Sequence, residues 1–179
     1  MSYCDIAPAN PYHAPYHEHE YGFPVEDDDA LFERLVLEIN QAGLSWLTIL
    51  KKREAFREAF VNFDIDRVAR FTPAKRAKLM TNAGIIRNRL KIEAAVENAK
   101  RLRKIGSFKE WLDASAQSAP RGTQASDYWV KLFKKTFVFT GGEITTSFLI
   151  SIGYLPGAHD ETCPVYKRVL RAKPRWAAS

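Results

Sequence analysis

Apolar residues recur every three to four positions along most of the chain, the spacing of amphipathic helices. Leu31, Phe32, Leu35, Val36 and Ile39 form one such stripe, with Asp28 or Asp29 placed to cap its start. Gly43 interrupts it, and Ser45 caps a second helix whose apolar positions are Trp46, Ile49, Leu50, Phe56 and Phe60. Asp64 opens a short helix around Val68 and Ala69. Thr72-Pro73 opens another through Leu79 and Met80, with Pro at the first helical position, and Gly84 ends it. A longer helix carries Ile86, Leu90, Ala94, Ala95 and Leu102; Gly106-Ser107 stops it and starts the next around Phe108, Trp111 and Leu112. Residues 114–125 read as a polar loop. Ser126 or Asp127 then caps a helix with Trp129, Val130, Leu132 and Phe133. Gly141-Gly142 makes a tight turn before a helix from about Ile144 to Ile152, and a last helix starts near Pro164. Strict alternation is poor, with Thr136 to Thr140 the one short β-like run. The pattern predicts an all-α protein of roughly nine short helices.

The 179 residues suit one domain. Its expected parts are an N-terminal arm at 1–24, a helical body at 25–172 and a short tail at 173–179. The arm shows no helical period and contains Pro8, Pro11, Pro15 and Pro24, so it reads as extended chain needing an anchor. Hydrophobic residues at 46% and charged residues at 27% exclude a disordered or coiled-coil chain. No apolar run approaches the ~18 residues of a membrane span. The first residues lack the basic and apolar regions of a secretory signal, so the expected location is cytoplasmic. A monomer is expected from size, and no protein partner is implied.

The net charge of +6 is unevenly placed. Residues 1–33 hold eight of the 21 acids and no Lys or Arg, leaving 27 bases against 13 acids in the rest. A basic body suits a polyanion such as nucleic acid, and equally suits a solvated surface with surplus Lys. The two cysteines, Cys4 and Cys163, lie near opposite ends and cannot staple a secreted mini-domain. With His17 and His159 they complete the donor set of a tetrahedral zinc site, His159 and Cys163 being four residues apart. Such a site would clip the arm to the C-terminal segment. The spacing is no finger signature, so packed thiols and exposed histidines remain the competing reading. His13 and His19 are alternative ligands by type.

Several stretches resemble one known family. Tyr16-His17-Glu18-His19-Glu20-Tyr21-Gly22 is similar to the YHDxEWG stretch of the DNA-3-methyladenine glycosylase I family, and Leu37-Glu38-Ile39-Asn40-Gln41-Ala42-Gly43-Leu44-Ser45-Trp46 to its LExxQAGLSW motif. Leu50-Lys51-Lys52-Arg53-Glu54, Ala83-Gly84-Ile85-Ile86-Arg87-Asn88 and Ser147-Phe148 continue the likeness, which runs from about Cys4 to Cys163. The resemblance implies the all-α helix-hairpin-helix DNA glycosylase fold. It also implies a structural zinc on Cys4, His17, His159 and Cys163, joining the N- and C-terminal segments. The implied activity is base excision repair: a monofunctional glycosylase hydrolyses the N-glycosidic bond of 3-methyladenine in damaged double-stranded DNA after flipping the base.

Methylation at N3 makes the base cationic and a good leaving group, so the enzyme chiefly needs discrimination, by aromatic faces and a carboxylate. Glu38 is the carboxylate the resemblance points to; read alone, it is more simply a rim Glu bridging to a nearby Arg. Tyr16, Trp46 and Tyr21 are the matching aromatics, for stacking or hydrogen bonding, although aromatics at helix starts also simply pack. Gln41, Gly43 and Leu44 sit in a helix break from which Leu44 could wedge into the gap left by a flipped base, or pack beneath a glycine cap. Thr140, Gly141 and Gly142 would form the hairpin turn that holds a DNA phosphate, with or without a monovalent cation. Gly84 to Arg87 competes for that role. Lys131, Lys134 and Lys135 add charge nearby. Asp160 lies where many relatives of the superfamily place a catalytic Asp, but within the expected zinc loop, and no lysine nucleophile stands out. Strand cleavage is therefore not expected. Ile6, the Asn10-Pro11-Tyr12-His13 stretch, Tyr21 and Gly142-Glu143 depart from the family pattern. They motivate two alternatives: a sibling glycosylase with another lesion preference, and a non-catalytic helix-hairpin-helix DNA-binding protein.

Overall fold

A computed structural model of the protein describes residues 2–120, 122 and 124–178. Met1, Arg121, Thr123 and Ser179, which belong to the expected arm, loop and tail, lie outside the described residues. Among the described residues there is no strand. The α-helices are α1 (Tyr3–Ile6), α2 (His13–His19), α3 (Asp28–Gln41), α4 (Trp46–Ala59), α5 (Ile65–Val68), α6 (Pro73–Leu79), α7 (Arg89–Ile105), α8 (Phe108–Ser118), α9 (Gln124–Thr136), α10 (Gly142–Ser151) and α11 (Tyr166–Arg171). None is long and apolar enough to cross a membrane. The chain forms two compact units, Glu26–Thr145 and Met1–Val25 with Thr146–Ser179.

In the larger unit, α3 is the hub against which α4, α5, α7 and α8 pack. Leu31, Phe32, Leu35, Val36, Leu37 and Ile39 are buried, and so are Arg34, Glu38 and Asn40. The cap is Asp27, whose carboxylate accepts the Ala30 N–H at 2.8 Å, one residue before the predicted position. Asp28 and Asp29 are engaged elsewhere. Asp28 Oδ1 accepts the Lys109 N–H and the Ser107 hydroxyl at the start of α8, and Asp29 Oδ1 accepts the Ile65 N–H at the start of α5. Three acids in a row thus fasten three helix starts.

The caps Ser45, Asp64 and Thr72 stand as predicted, each side chain accepting a backbone N–H of the first turn. Four expectations need correction. Gly84 does not end α6, which stops at Leu79; a Cβ on Gly84 would lie 2.9 Å from that of Ala55, so close packing on α4 is what requires glycine. Ile86 precedes α7, because Asn88 is the cap that accepts the Lys91 N–H. The expected polar loop is helical as far as Ser118, since Ala114, Ala116 and Gln117 are good helix formers and extend α8. Finally, α9 begins at Gln124, before Ser126 and Asp127.

The β-like run has its own explanation. Asn98 on α7 is fully buried and pairs with Val138 reciprocally, donating from Nδ2 to the carbonyl at 3.0 Å and accepting the N–H on Oδ1 at 2.8 Å. Arg101, one turn on, donates to the Thr136 carbonyl at 3.0 Å. One side-chain amide does for Val138 what a neighbouring strand would do. Between α4 and α5, Val61, Asn62 and Phe63 all adopt positive φ, from 51° to 57°. Each costs about 1–2 kcal/mol, offset by burying Phe63 against Phe60 with ring planes 2° apart.

In the smaller unit the arm proves helical. Pro8 sits in a 3-10 turn over Ala7–Ala9 and Pro15 in the first turn of α2, where a missing N–H costs nothing. Short helices opened by proline carry too few residues to show a period. Gly22, at φ +81°, donates to the Ser151 carbonyl at 2.8 Å, and a Cβ there would meet that of Ala158 at 2.5 Å.

Asn98→Ala should destabilise the protein by about 2–3 kcal/mol, since it strands the half-buried Val138 N–H and C=O together. Denaturant unfolding measures this; a loss within about 0.5 kcal/mol would contradict the clamp.

Candidate metal centre and base-recognition residues

Within the smaller unit, α1 brings Cys4, α2 brings His17, and the segment before α11 brings His159 and Cys163. One ligand atom from each lies within 4.8 Å of the others. Cys4 Sγ is 3.6 Å from His159 Nδ1, Cys163 Sγ is 3.8 Å from the same nitrogen, and Cys163 Sγ is 3.7 Å from His17 Nε2. Tetrahedral zinc with thiolate and imidazole bonds of usual length separates sulfur from nitrogen by about 3.6 Å, so the donors are already at coordination spacing. His13 and His19 are outside this group; His13 Nδ1 instead meets the Tyr3 hydroxyl at 3.0 Å.

The protonation states agree. His159 Nε2–H donates to the Tyr21 carbonyl at 2.8 Å, which leaves Nδ1 as the bare nitrogen facing both sulfurs. Burial lowers the pKa of His17 and His159 from the usual imidazole value, which favours the neutral form of both. Burial also pushes the Cys4 thiol up to about 11, helped by Cys163 and opposed by the Asp160 backbone N–H. Two thiolates this close need a cation to be stable together. The four residues can hold a metal ion. Gly22 contributes by letting the Tyr21 carbonyl approach the His159 ring. Asp160 is exposed, and its carbonyl accepts the Cys163 N–H in this loop.

The predicted aromatics beside this group are Tyr16 and Tyr21. Tyr16 is buried, and the ring centroids are 5.6 Å apart. Tyr21 also meets His159 edge-on at 5.6 Å.

Glu38, Gln41, Gly43, Leu44 and Trp46 belong to the larger unit. Glu38 is 5% exposed on the hub helix. Burial pushes its carboxyl up to about 7, and the Arg34 guanidinium one turn earlier pulls it partly back. Gln41 is the last residue of α3, Gly43 turns at φ +80°, and Leu44 is 41% exposed. Leu44 therefore does not pack beneath the glycine, as the alternative reading had it. Trp46 opens α4, directly after the Ser45 cap. Thr140 is buried, while Gly141 and Gly142 lie exposed at the start of α10.

Lys91 was not singled out by the sequence. Its Nζ donates to the Asn40 carbonyl at 2.9 Å and the Ala42 carbonyl at 2.6 Å, across to the end of α3. The available signal was polar residues on an apolar stripe: Lys91, Ala95, Asn98 and Leu102 share one face of α7, and both polar members are buried. The LKKRE stretch is largely structural, since Arg53 donates to Glu33 at 2.6 Å and Lys52 to the Ala83 carbonyl at 2.8 Å.

The methyladenine glycosylase family matches residues 6–166, most of the chain. The chain belongs to this family. Among methyladenine glycosylases, the DNA-3-methyladenine glycosylase of Haemophilus influenzae is 39% identical over 166 residues, covering 83% of this chain and 89% of that protein. DNA-3-methyladenine glycosylase 1 of Escherichia coli K12 is 36% identical over 183 residues, covering 93% and 97%. The solved structure of 3-methyladenine DNA glycosylase I from Staphylococcus aureus, described for its recognition of 3-methyladenine, superposes with a TM-score of 0.80 at 36% identity, covering 92% of this chain and 96% of that one. A Tyr-to-Phe variant of 3-methyladenine DNA glycosylase I in complex with 3-methyladenine also scores 0.80, at 37% identity, covering 92% and 97%.

A carboxyl raised by burial binds its proton more tightly when folded. Its contribution to stability is full below about pH 4.5 and is lost as pH rises through about 7. Glu38→Gln removes that slope. It should leave stability little changed at pH 4 and raise it by roughly 2–3 kcal/mol at pH 8. Urea unfolding at the two pH values measures this, and a pH-independent difference counts against a desolvated Glu38.

Proposed function

We propose that the protein is a monofunctional DNA-3-methyladenine glycosylase of base excision repair, acting on alkylated double-stranded DNA. The observation that carries the reading is Glu38: a carboxyl buried on the central helix, raised to about 7, in a chain of the methyladenine glycosylase family. A buried carboxylate costs free energy unless a cation meets it. The N3-methylated purine in DNA is such a cation, and an ordinary adenine is not. Tyr16, Tyr21 and Trp46 supply aromatic groups for stacking and hydrogen bonding.

Little acid–base work is required. When the bond between the sugar C1′ and the base N9 breaks, its electron pair goes to the base, which leaves as neutral 3-methyladenine. Water adds at C1′ and gives up a proton to solvent. The residues of this chain bind, orient and discriminate. Gln41, Gly43 and Leu44 form the element that enters the duplex, with Leu44 as the apolar wedge.

The helix-hairpin-helix is read as α9, the Thr140-Gly141-Gly142 turn and α10. A Cβ at Gly141 or Gly142 would meet nothing within 4 Å, and neither adopts positive φ. No internal contact or backbone conformation accounts for glycine there, whereas Gly84 is explained by packing. Close approach of a DNA phosphate to an open backbone is a reason for glycine.

The metal held by Cys4, His17, His159 and Cys163 is read as zinc, because two sulfur and two nitrogen donors at tetrahedral spacing suit it. With all four positions filled by protein, it would supply structural cross-linking between the segments that carry its ligands. The whole chain is read as one glycosylase domain, 1–179, acting as a cytoplasmic monomer.

Incubation with methylated duplex DNA should release 3-methyladenine without nicking an abasic strand. Another released base would indicate a shifted lesion preference, and no release would leave a binding module. The kcat/KM should rise with pH and level off above about 7, as Glu38 ionises in the free enzyme. Glu38→Gln should lose most activity and that pH dependence, and a variant with full activity would remove Glu38 from the mechanism. Protein purified without chelator should carry one zinc per chain and melt at lower temperature once stripped; a stoichiometry near zero contradicts the four-ligand site.

A further inference from the structure

We propose that Lys91 is a positioning residue for the Gln41–Leu44 break, holding the proposed wedge rigid enough to displace a base from a duplex. The inference rests on the glycosylase reading and adds to it a residue of the larger unit that no motif indicated.

The break has little of its own to hold it. Helix α3 carries no basic residue in its last turn, so its final carbonyls lack a local cation. Ala42 leaves helical geometry at φ −50°, ψ 118°, and Gly43 follows at φ +80°. A Cβ on Gly43 would meet nothing within 4 Å, so the turn is open on that side. Within the segment, the Leu44 N–H donates to the Gln41 carbonyl at 2.7 Å. From 49 and 51 residues away, Lys91 Nζ donates to the Ala42 and Asn40 carbonyls on either side of Gln41.

Lys91 is itself fixed. Its backbone N–H is held by the Asn88 cap, it lies in the first turn of α7, and α7 packs on α3. At 5% exposure its stem could be replaced in volume by an apolar residue that avoids burying an ammonium. What an apolar residue lacks is donors. The ammonium joins two carbonyls of a turn that would otherwise flex about Gly43, and places positive charge at the negative end of α3. A wedge transmits force only as well as its support resists. Leu44, solvent-exposed at the tip, depends on that support.

The test compares wild type, Lys91→Met and, should that variant fold poorly, Lys91→Gln, which keeps a donor. Excision of 3-methyladenine is measured on methylated poly(dA)·poly(dT) and on methylated single-stranded poly(dA). Lys91→Met should lower kcat/KM on duplex at least tenfold and stay within about threefold on the single strand, where no stacked duplex must be opened. In a Leu44→Ala background the duplex loss from Lys91→Met should shrink to less than threefold. Equal losses on both substrates, full additivity with Leu44→Ala, or no duplex loss would each overturn the proposal. Amide hydrogen exchange of the peptide spanning 41–45 supplies a readout independent of activity. It should quicken at least tenfold in Lys91→Met while peptides of the α7 core hold their rates, and an unchanged rate overturns the proposal. Wild type that releases no base from either substrate defeats the glycosylase reading instead, and the exchange experiment still decides whether Lys91 pins the turn.

Discussion

The larger unit is organised by one constraint: α3 is buried nearly all round, so the polar groups it carries need partners within the protein, several of them from other elements. Asp28 takes the start of α8, Asp29 the start of α5, Glu33 the arginines of α4, and the carbonyls at its end take Lys91 of α7. These bonds fix where four neighbouring helices begin or cross. Each contributes only about 1 kcal/mol net, but leaving one unmade inside the core costs more than that, and the asymmetry favours a single arrangement. Burial raises the Asp29 carboxyl above its usual range and pushes that of Glu38 up to about 7.

That arrangement separates two kinds of charged residue. Arg53, Arg57, Arg101 and Lys91 are spent on internal carbonyls and carboxylates. Lys131, Lys134 and Lys135 on α9 are exposed. The sequence shows a basic excess and says nothing about which bases are already engaged. A count of Lys and Arg therefore overstates the charge available to a polyanion, and burial is needed to sort it.

The all-helical class and most helix starts were legible because their signals are local: Ser45, Asp64 and Thr72 each cap the residues that follow them. The helices of the arm are hidden in the sequence because Pro8 and Pro15 look like breakers, although both sit in first turns. The start of the 114–125 segment reads as loop because polar residues and Pro120 crowd it, while its alanines extend α8. Asn62 is the one residue of Val61–Phe63 whose type favours positive φ, and it does not announce three left-handed residues in a row; burial of Phe63 holds them there. The four residues that could hold a metal are legible by type, and the resemblance chooses them over His13 and His19. Lys91 and Asn98 were not, because their partners are backbone atoms 40 to 51 residues away, and backbone atoms leave no trace in residue type.

The smaller unit is built from both ends of the chain, with Cys4 meeting His159 across 155 residues. Closing a loop of that length costs about 4–5 kcal/mol of chain entropy. During synthesis, Cys4 and His17 leave the ribosome well over a hundred residues ahead of His159 and Cys163. The segment 26–145 is continuous, and can collapse while the early thiol stands open to oxidants or to a competing ion. The pace of synthesis thereby bears on when this cluster can form, and a nascent protein stalled between His17 and His159 would hold only two of the four residues.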